Sequence, residues 1–361
     1  MSTHWNLIEL SDLGVLRFRG PDAVSFLQGQ VSNDVARLTP ERALLAGYHN
    51  PQGRTIALLR LIQLEAGDLL AVLPRELAAN VAARLARFVL RAKVKITDDS
   101  AAWRLTGLVA PETGSPTRPP DRSGAADGGG LEKTETQARN WAQTQFDEAS
   151  ARATAAGEQS SVAAQLEGDS VVELPAASAL MLPADVNAQS RSDDTVIIRV
   201  GMTRARWLVL SPAGHPIPLA DCVPAERDAW RLLDIADGQP QVYASTSEEF
   251  VAQMLNLDAL GGIAFDKGCY TGQEVIARAH YRGRVKRRLQ RFRTRGPAKL
   301  AAGDSGKLTD GRSFKVVDAI ILANGLCEFL AVAPLTPDTA ETVSGETIDS
   351  EAMPLPYELP A

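Results

Sequence analysis

The chain is poor in the residue types that most directly disclose a function. It has three cysteines and four histidines in 361 residues. Cys222, Cys269 and Cys327 are odd in number and widely spaced, which excludes a zinc-ligand pattern and a disulfide framework. A reducing compartment is the simplest setting for such a set. No apolar run approaches the roughly 20 residues that a membrane-spanning helix needs. Met1 to Leu10 lacks the basic and apolar regions of an export signal and the arginines of a transit peptide. A cytoplasmic protein without a membrane association is therefore expected. Positive charge is not in excess either. The formal net charge is -6, which argues against a general nucleic-acid binder. No repeat of roughly 20 to 50 residues is visible, so solenoids and propellers are excluded.

What is present points to layered α+β structure in two or three lobes, because the length exceeds that of one ordinary domain. Pro21 to Val35 carries apolar residues at Ala23, Phe26, Leu27, Val31 and Val35, a spacing that predicts a helix with Pro21 in its first turn. Arg42 to Tyr48, Arg54 to Gln63 and Leu69 to Leu73 read as strands. Turns at Asn50-Pro51-Gln52-Gly53 and Glu65 to Asp68 separate them. Pro74 to Leu90 is an amphipathic helix, and Lys93 to Thr97 and Trp103 to Val109 are short strands. Strands and helices mixed in this way indicate α+β layers. Composition then changes. Residues 111 to 170 are rich in Gly, Ala, Ser, Thr and Pro and are expected to be a largely disordered insertion, with a transient helix over Ala138 to Ala155. Strands are expected again at Thr195 to Val200 and Arg206 to Leu210. Short helices are expected from Pro224 to Trp230 and from Glu248 to Leu257. Glycines break Leu289 to Pro334 into short β-like runs, as in a small barrel.

The chemistry concentrates in Lys267-Gly268-Cys269-Tyr270-Thr271-Gly272-Gln273-Glu274. Gly268 and Gly272 permit backbone angles that other residues avoid. A cysteine in such a turn is open to solvent, and a neighbouring ammonium favours its thiolate. Against this stands the reading of a small hydrophobe in a loop. His280 lies 11 positions away, at no recognisable hydrolase spacing. Arg278 to Arg295 holds nine cations and no acid. It reads as a strand face in solvent, as an anion clamp, or as a contact for RNA phosphates. Trp230 suits either a core or a stacking site for a flat heterocycle. Gln28, Asn33 and Asp34 suit helix capping or a pocket wall.

The octapeptide resembles the signature of the YgfZ family, folate-binding proteins related to the T-protein, the aminomethyltransferase of glycine cleavage. Phe250 to Ile263, Val275 to Gly283, Gly20 to Ala23 and Phe26 to Val35 are similar to the same family. The resemblance implies a three-lobed T-protein-like fold with ferredoxin-like lobes and a C-terminal β-barrel. It places a folate-binding region at 1–110 and 193–285, an insertion at 111–192, and the barrel and tail at 286–361. It implies a folate cofactor, tetrahydrofolate, held by Trp230, Gln28, Asn33, Asp34, Tyr270, Gln273, Glu274 and Arg278, with Cys269 and Lys267 as the functional pair. It also implies a role in assembly or repair of iron–sulfur clusters in client enzymes, tRNA-modifying ones included. The T-protein's acidic pair falls here on Ala57-Leu58, which can serve as neither acid nor base. An accessory factor is therefore expected. A folate-dependent one-carbon transferase or demethylase and an RNA-binding module are the alternatives.

Overall fold

The computed structural model describes residues 4–111, 181–215, 222–283, 285–336 and 346–360. Nearly all of the expected insertion at 111–170 lies outside the described residues. Two N-terminal strands, β1 (Trp5–Glu9) and β2 (Leu13–Arg19), enter different sheets. The first sheet has the order β3-β4-β5-β2-β6 and is antiparallel throughout. Its other strands are β3 (Leu44–His49), β4 (Thr55–Glu65), β5 (Asp68–Pro74) and β6 (Lys95–Asp98). The β3–β4 turn is the expected Asn50-Pro51-Gln52-Gly53. Gly53 there has φ 72°, and its N–H donates to the Asn50 carbonyl at 2.9 Å.

Helix α1 (Ala23–Gln28) precedes this hairpin, and α2 (Arg75–Ala86) follows the sheet's third strand. α2 buries Leu77, Ala78, Val81 and Leu85, the stripe that its spacing predicts. The second sheet has the order β11-β1-β7-β10-β9-β8. Its remaining members are β7 (Trp103–Val109), β8 (Gln189–Ser192), β9 (Thr195–Arg199), β10 (Arg206–Pro212) and β11 (Cys222–Ala225). The pairing of β1 with β11 is parallel. Val15, Ile62 and Leu70 of the first sheet share one core with Ile8, Val109, Ile198 and Leu210 of the second. Helix α3 (Arg227–Ala236) adds Ala229, Trp230 and Leu233 to that core.

The third sheet curls into a nearly closed, barrel-like form. It comprises β12 (Arg287–Thr294), β13 (Ser305–Leu308), β14 (Ser313–Ile321), β15 (Cys327–Pro334), β16 (Thr347–Ile348) and β17 (Ser350–Met353). Phe292, Phe314 and Phe329 fill it, with ring centroids 5.4 and 5.5 Å apart. Beyond β17 the Tyr357 hydroxyl donates to the Gly238 carbonyl at 2.8 Å, which ties the tail to the end of α3.

Four expectations need correction. The helix expected over 21–35 stops at Gln28, and a three-residue 3-10 turn follows at Val35–Arg37. The helix expected over 248–257 is a 3-10 turn at Ala252–Leu255. It ends because Asn256 adopts φ 57° and aims its side-chain amide at the Leu289 carbonyl. A helix that no periodicity announced, α4 (Gln273–Tyr281), completes the motif region, and Ile276 alone of its residues is buried. Finally, β8 lies inside the segment 111–192 that was expected to lack structure.

Candidate functional site

The structure splits the candidate residues between two places. The first is the motif loop. Lys267 does not face Cys269 as an isolated charge. Its ammonium donates to the Gln28, Val31 and Asn33 carbonyls at 2.7, 2.7 and 2.8 Å, which uses all three of its protons. These acceptors lie at the end of α1 and just beyond it, where carbonyls left free by the helix need donors. Burial pulls the Lys267 pKa down to about 8, against the attraction of Asp34. The ammonium also lies 5.0 Å from the Tyr270 ring centroid.

Gln28, Asn33 and Asp34 serve this same junction. The Asn33 amide donates to the Leu45 and Gly261 carbonyls at 2.7 and 2.8 Å. Gln28 donates to Asp34 Oδ1 at 2.8 Å and accepts from the Val35 N–H at 2.7 Å. Asp34 caps the 3-10 turn through Ala36 N–H. None of the three lines the central cavity, so the expected shared pocket with Trp230 is not formed. What they build is a platform for the motif loop.

Cys269 stands exposed on that platform, while Tyr270 is buried beneath it. Gly272, with φ 83°, turns the chain into α4. A Cβ there would lie 2.5 Å from the Asn50 carbonyl oxygen, so the position requires glycine. Gln273 Oε1 accepts from the Tyr270 N–H at 3.3 Å. Glu274 and Arg278 form an exposed i,i+4 pair at 3.1 Å, an interaction worth little in water. Phe265 stacks on His280 with ring centroids 3.7 Å apart, which braces the other end of α4. Among the described residues no cluster of three His, Cys, Asp or Glu side chains could hold a metal ion.

The basic tract is corrected as well. Arg288 grips Asp258 with two bonds of 2.9 Å, and Arg291 reaches Glu328 at 3.0 Å. Both arginines are buried, against the expected solvent-facing strand. Arg293 pairs with Glu351, and Arg295 with Asp349. These cations join β12 to its neighbours and are not a free anion clamp. Arg278, Arg282 and Lys286 remain exposed.

The second place is a cavity of about 90 Å3 between the two flat sheets. Leu13, Leu45, Leu58 and Val72 wall it from the first sheet, and Leu208 from the second. Arg227, Trp230 and Asp234 come from α3, and Gln239, Pro240 and Gln241 from the loop after it. Arg60 adds a guanidinium from β4. Trp230 is only 5% exposed. The Arg206 guanidinium lies over its ring at 4.6 Å, and Gly107 abuts it so closely that a Cβ would come within 2.3 Å. What stacks on Trp230 is therefore Arg206, and the ring serves mainly as wall. Arg206 is fully buried and binds Asp234 at 2.7 Å and Asp237 at 2.9 Å. Burial pushes the Asp234 carboxyl up, against the pull of Arg206. Sequence reasoning missed Arg60, Arg227 and Asp234. No signal marked them, since each acquires meaning only from the cavity that the sheets enclose.

Both places now have a family context. The chain is 29% identical to the tRNA-modifying protein YgfZ of Pectobacterium carotovorum, over 98% of this chain and 92% of that protein. It is 27% identical to the protein of the same name from Serratia proteamaculans, with the same coverage. The YgfZ of Hamiltonella defensa is 28% identical over 79% of this chain. The chain is YgfZ-like. No protein-family model matches it. In architecture, aminomethyltransferase T of the Bartonella henselae glycine cleavage system superposes with a TM-score of 0.63, over 98% of this chain and 86% of that one, at 15% identity. The T-protein-like α+β fold expected from the motif resemblance is thus the fold of this YgfZ-like chain.

Proposed function

We propose that the chain is a folate-binding accessory protein that supports the assembly or repair of iron–sulfur clusters, including those of tRNA-modifying enzymes. The observation that carries the reading is the pairing of a T-protein-like fold with Leu58 on the cavity wall, where a transferase of that fold needs an acid. A cavity that keeps the fold's shape without its acid suits retention of a folate more than turnover of one.

The donor set fits the cofactor. Arg227 Nη1 is buried and has no partner. Arg60 adds further N–H donors, and Asp234 adds an acceptor for the amino groups of a pterin. The cavity is well under the roughly 300 Å3 of a typical small-molecule pocket, so it receives one end of such a ligand. Support for the cluster-related role is the exposed Cys269 on its braced loop, together with the similarity to proteins named as tRNA-modifying.

Asp234 favours a second reading, a folate-dependent one-carbon transferase, since it places one carboxylate in the cavity. Its tie to Arg206 leaves it a weak base. The deciding experiment is a titration of purified protein with tetrahydrofolate, followed by a one-carbon transfer assay. Binding should raise the melting temperature, with about 2.7 kcal/mol of added stability at a hundredfold excess over Kd. No shift at millimolar tetrahydrofolate removes the folate reading. Turnover that disappears in Asp234→Asn establishes the transferase. Trp230→Ala is a poor probe, because it empties core volume and costs about 3–5 kcal/mol on its own.

A further inference from the structure

We propose that Arg60 and Arg227 form a carboxylate subsite on the wall of the central cavity, and that it takes the acid-bearing end of an aromatic ligand. The proposal deepens the folate reading and rests on it for the ligand's identity: the end received is the 4-aminobenzoylglutamate moiety.

Arg60 is the starting point. Its Nη1 donates to Asn187 Oδ1 at 2.6 Å, and among the described residues no acid forms an ion pair with it. Asp234, the one carboxylate on the cavity wall, is turned to Arg206 and attracts Arg60 only from farther off. Burial lowers the Arg60 pKa to about 10, so the fold carries a cation that it does not neutralise. Holding a desolvated charge without a counter-ion is expensive, and folded proteins rarely tolerate it without return. The arrangement is also specified at some cost in backbone freedom. Asn187, which accepts from Arg60, sits at φ 67°.

Arg227 supplies the second half. Its Nε is bound to Asp12 at 2.6 Å, but Nη1 has no partner. Guanidinium N–H pairs match the two oxygens of a carboxylate, and such bonds are about twice as strong as neutral ones. Leu58 and Arg60 are two residues apart on one strand and so share a face. On the strand where a T-protein needs an acid, this chain therefore presents a hydrophobe followed by a cation. The sign of the wall is reversed, in favour of an anion. Leu13, Leu45 and Val72 give the same space flat apolar sides, which suit an aryl ring next to the acid.

The test is calorimetric titration of the full chain with tetrahydrofolate, 4-aminobenzoylglutamate and 6-methyltetrahydropterin, for the wild type, Arg60→Leu and Arg60→Lys. Arg60→Leu should weaken both acid-bearing ligands by about tenfold or more. It should change the pterin by less than about twofold. Arg60→Lys keeps the charge without the fork and should fall between. Ligand-free Arg60→Leu should melt no lower than the wild type, because it removes an uncompensated charge; a melt several degrees lower would mark Arg60 as a structural residue and overturn the subsite. Equal losses for the pterin and the acids, or acids unaffected, overturn it too. A wild type that binds 4-aminobenzoylglutamate but not tetrahydrofolate supports the subsite and sinks the folate reading. One that binds the pterin but not 4-aminobenzoylglutamate sinks the subsite alone.

Discussion

His49 shows how one residue couples this fold to pH. It is buried, its Nε2 has no partner, and burial alone drives its pKa to about 3. In the unfolded chain it takes a proton near pH 6.5. Between those values the unfolded state binds more protons, so stability falls as pH falls from about 6.5 toward 3. At pH 5 the expected loss is about 2 kcal/mol. Urea unfolding of wild type and His49→Gln at pH 7 and pH 5 checks it, and the variant should lack this share of the acid loss. The cysteines differ by burial in a similar way. Cys269 is exposed, Cys222 half-buried, and Cys327 buried with its thiol pushed up to about 11 by that burial. Iodoacetamide at neutral pH should label Cys269 first and Cys327 only on unfolding, as peptide mass mapping would show. The cysteine motif was legible because it is contiguous. Arg60 was not, because an arginine in a strand is unremarkable until its missing counter-ion is seen.

At the scale of elements, the sequence was clearest where periodicity and turn chemistry act locally. The β3–β4 hairpin and α2 needed nothing else. α4 escaped because a helix that buries Ile276 alone has no apolar stripe. The basic tract misled because Asp258, Glu328, Asp349 and Glu351 reach it from distant segments, and a linear reading cannot pair them. The platform under the motif loop makes two predictions. Gly272→Ala places a methyl group 2.5 Å from the Asn50 carbonyl oxygen at a left-handed φ, and should cost about 1–3 kcal/mol. Lys267→Met leaves the Gln28, Val31 and Asn33 carbonyls without their donor and should cost about 2 kcal/mol or more. Denaturant melts measure both. If Lys267→Met folds with full stability, the lysine is not the brace that its bonds suggest.

At the scale of the molecule, the three-sheet plan followed from the family likeness and not from composition. The meeting of strands on either side of residues 112–180 in one sheet was beyond the reach of pattern. Ala110 and Leu182 pack into the same cluster, together with Trp5 and Trp207. The chain therefore leaves and re-enters the fold at one spot. Replacing 112–180 with a short Gly-Ser linker should leave the melting temperature within a few degrees, since closure entropy changes slowly with loop length. An insoluble product would show that the segment contributes to folding. The anchoring of the motif loop has a temporal meaning too. Lys267 is fastened to carbonyls 234 to 239 positions earlier in the chain, and Asn33 to Gly261, 228 positions later. Contacts this remote are among the slowest to form. On a ribosome, the platform cannot assemble until most of the polypeptide has emerged, so a nascent or truncated chain would not display Cys269 in its working posture.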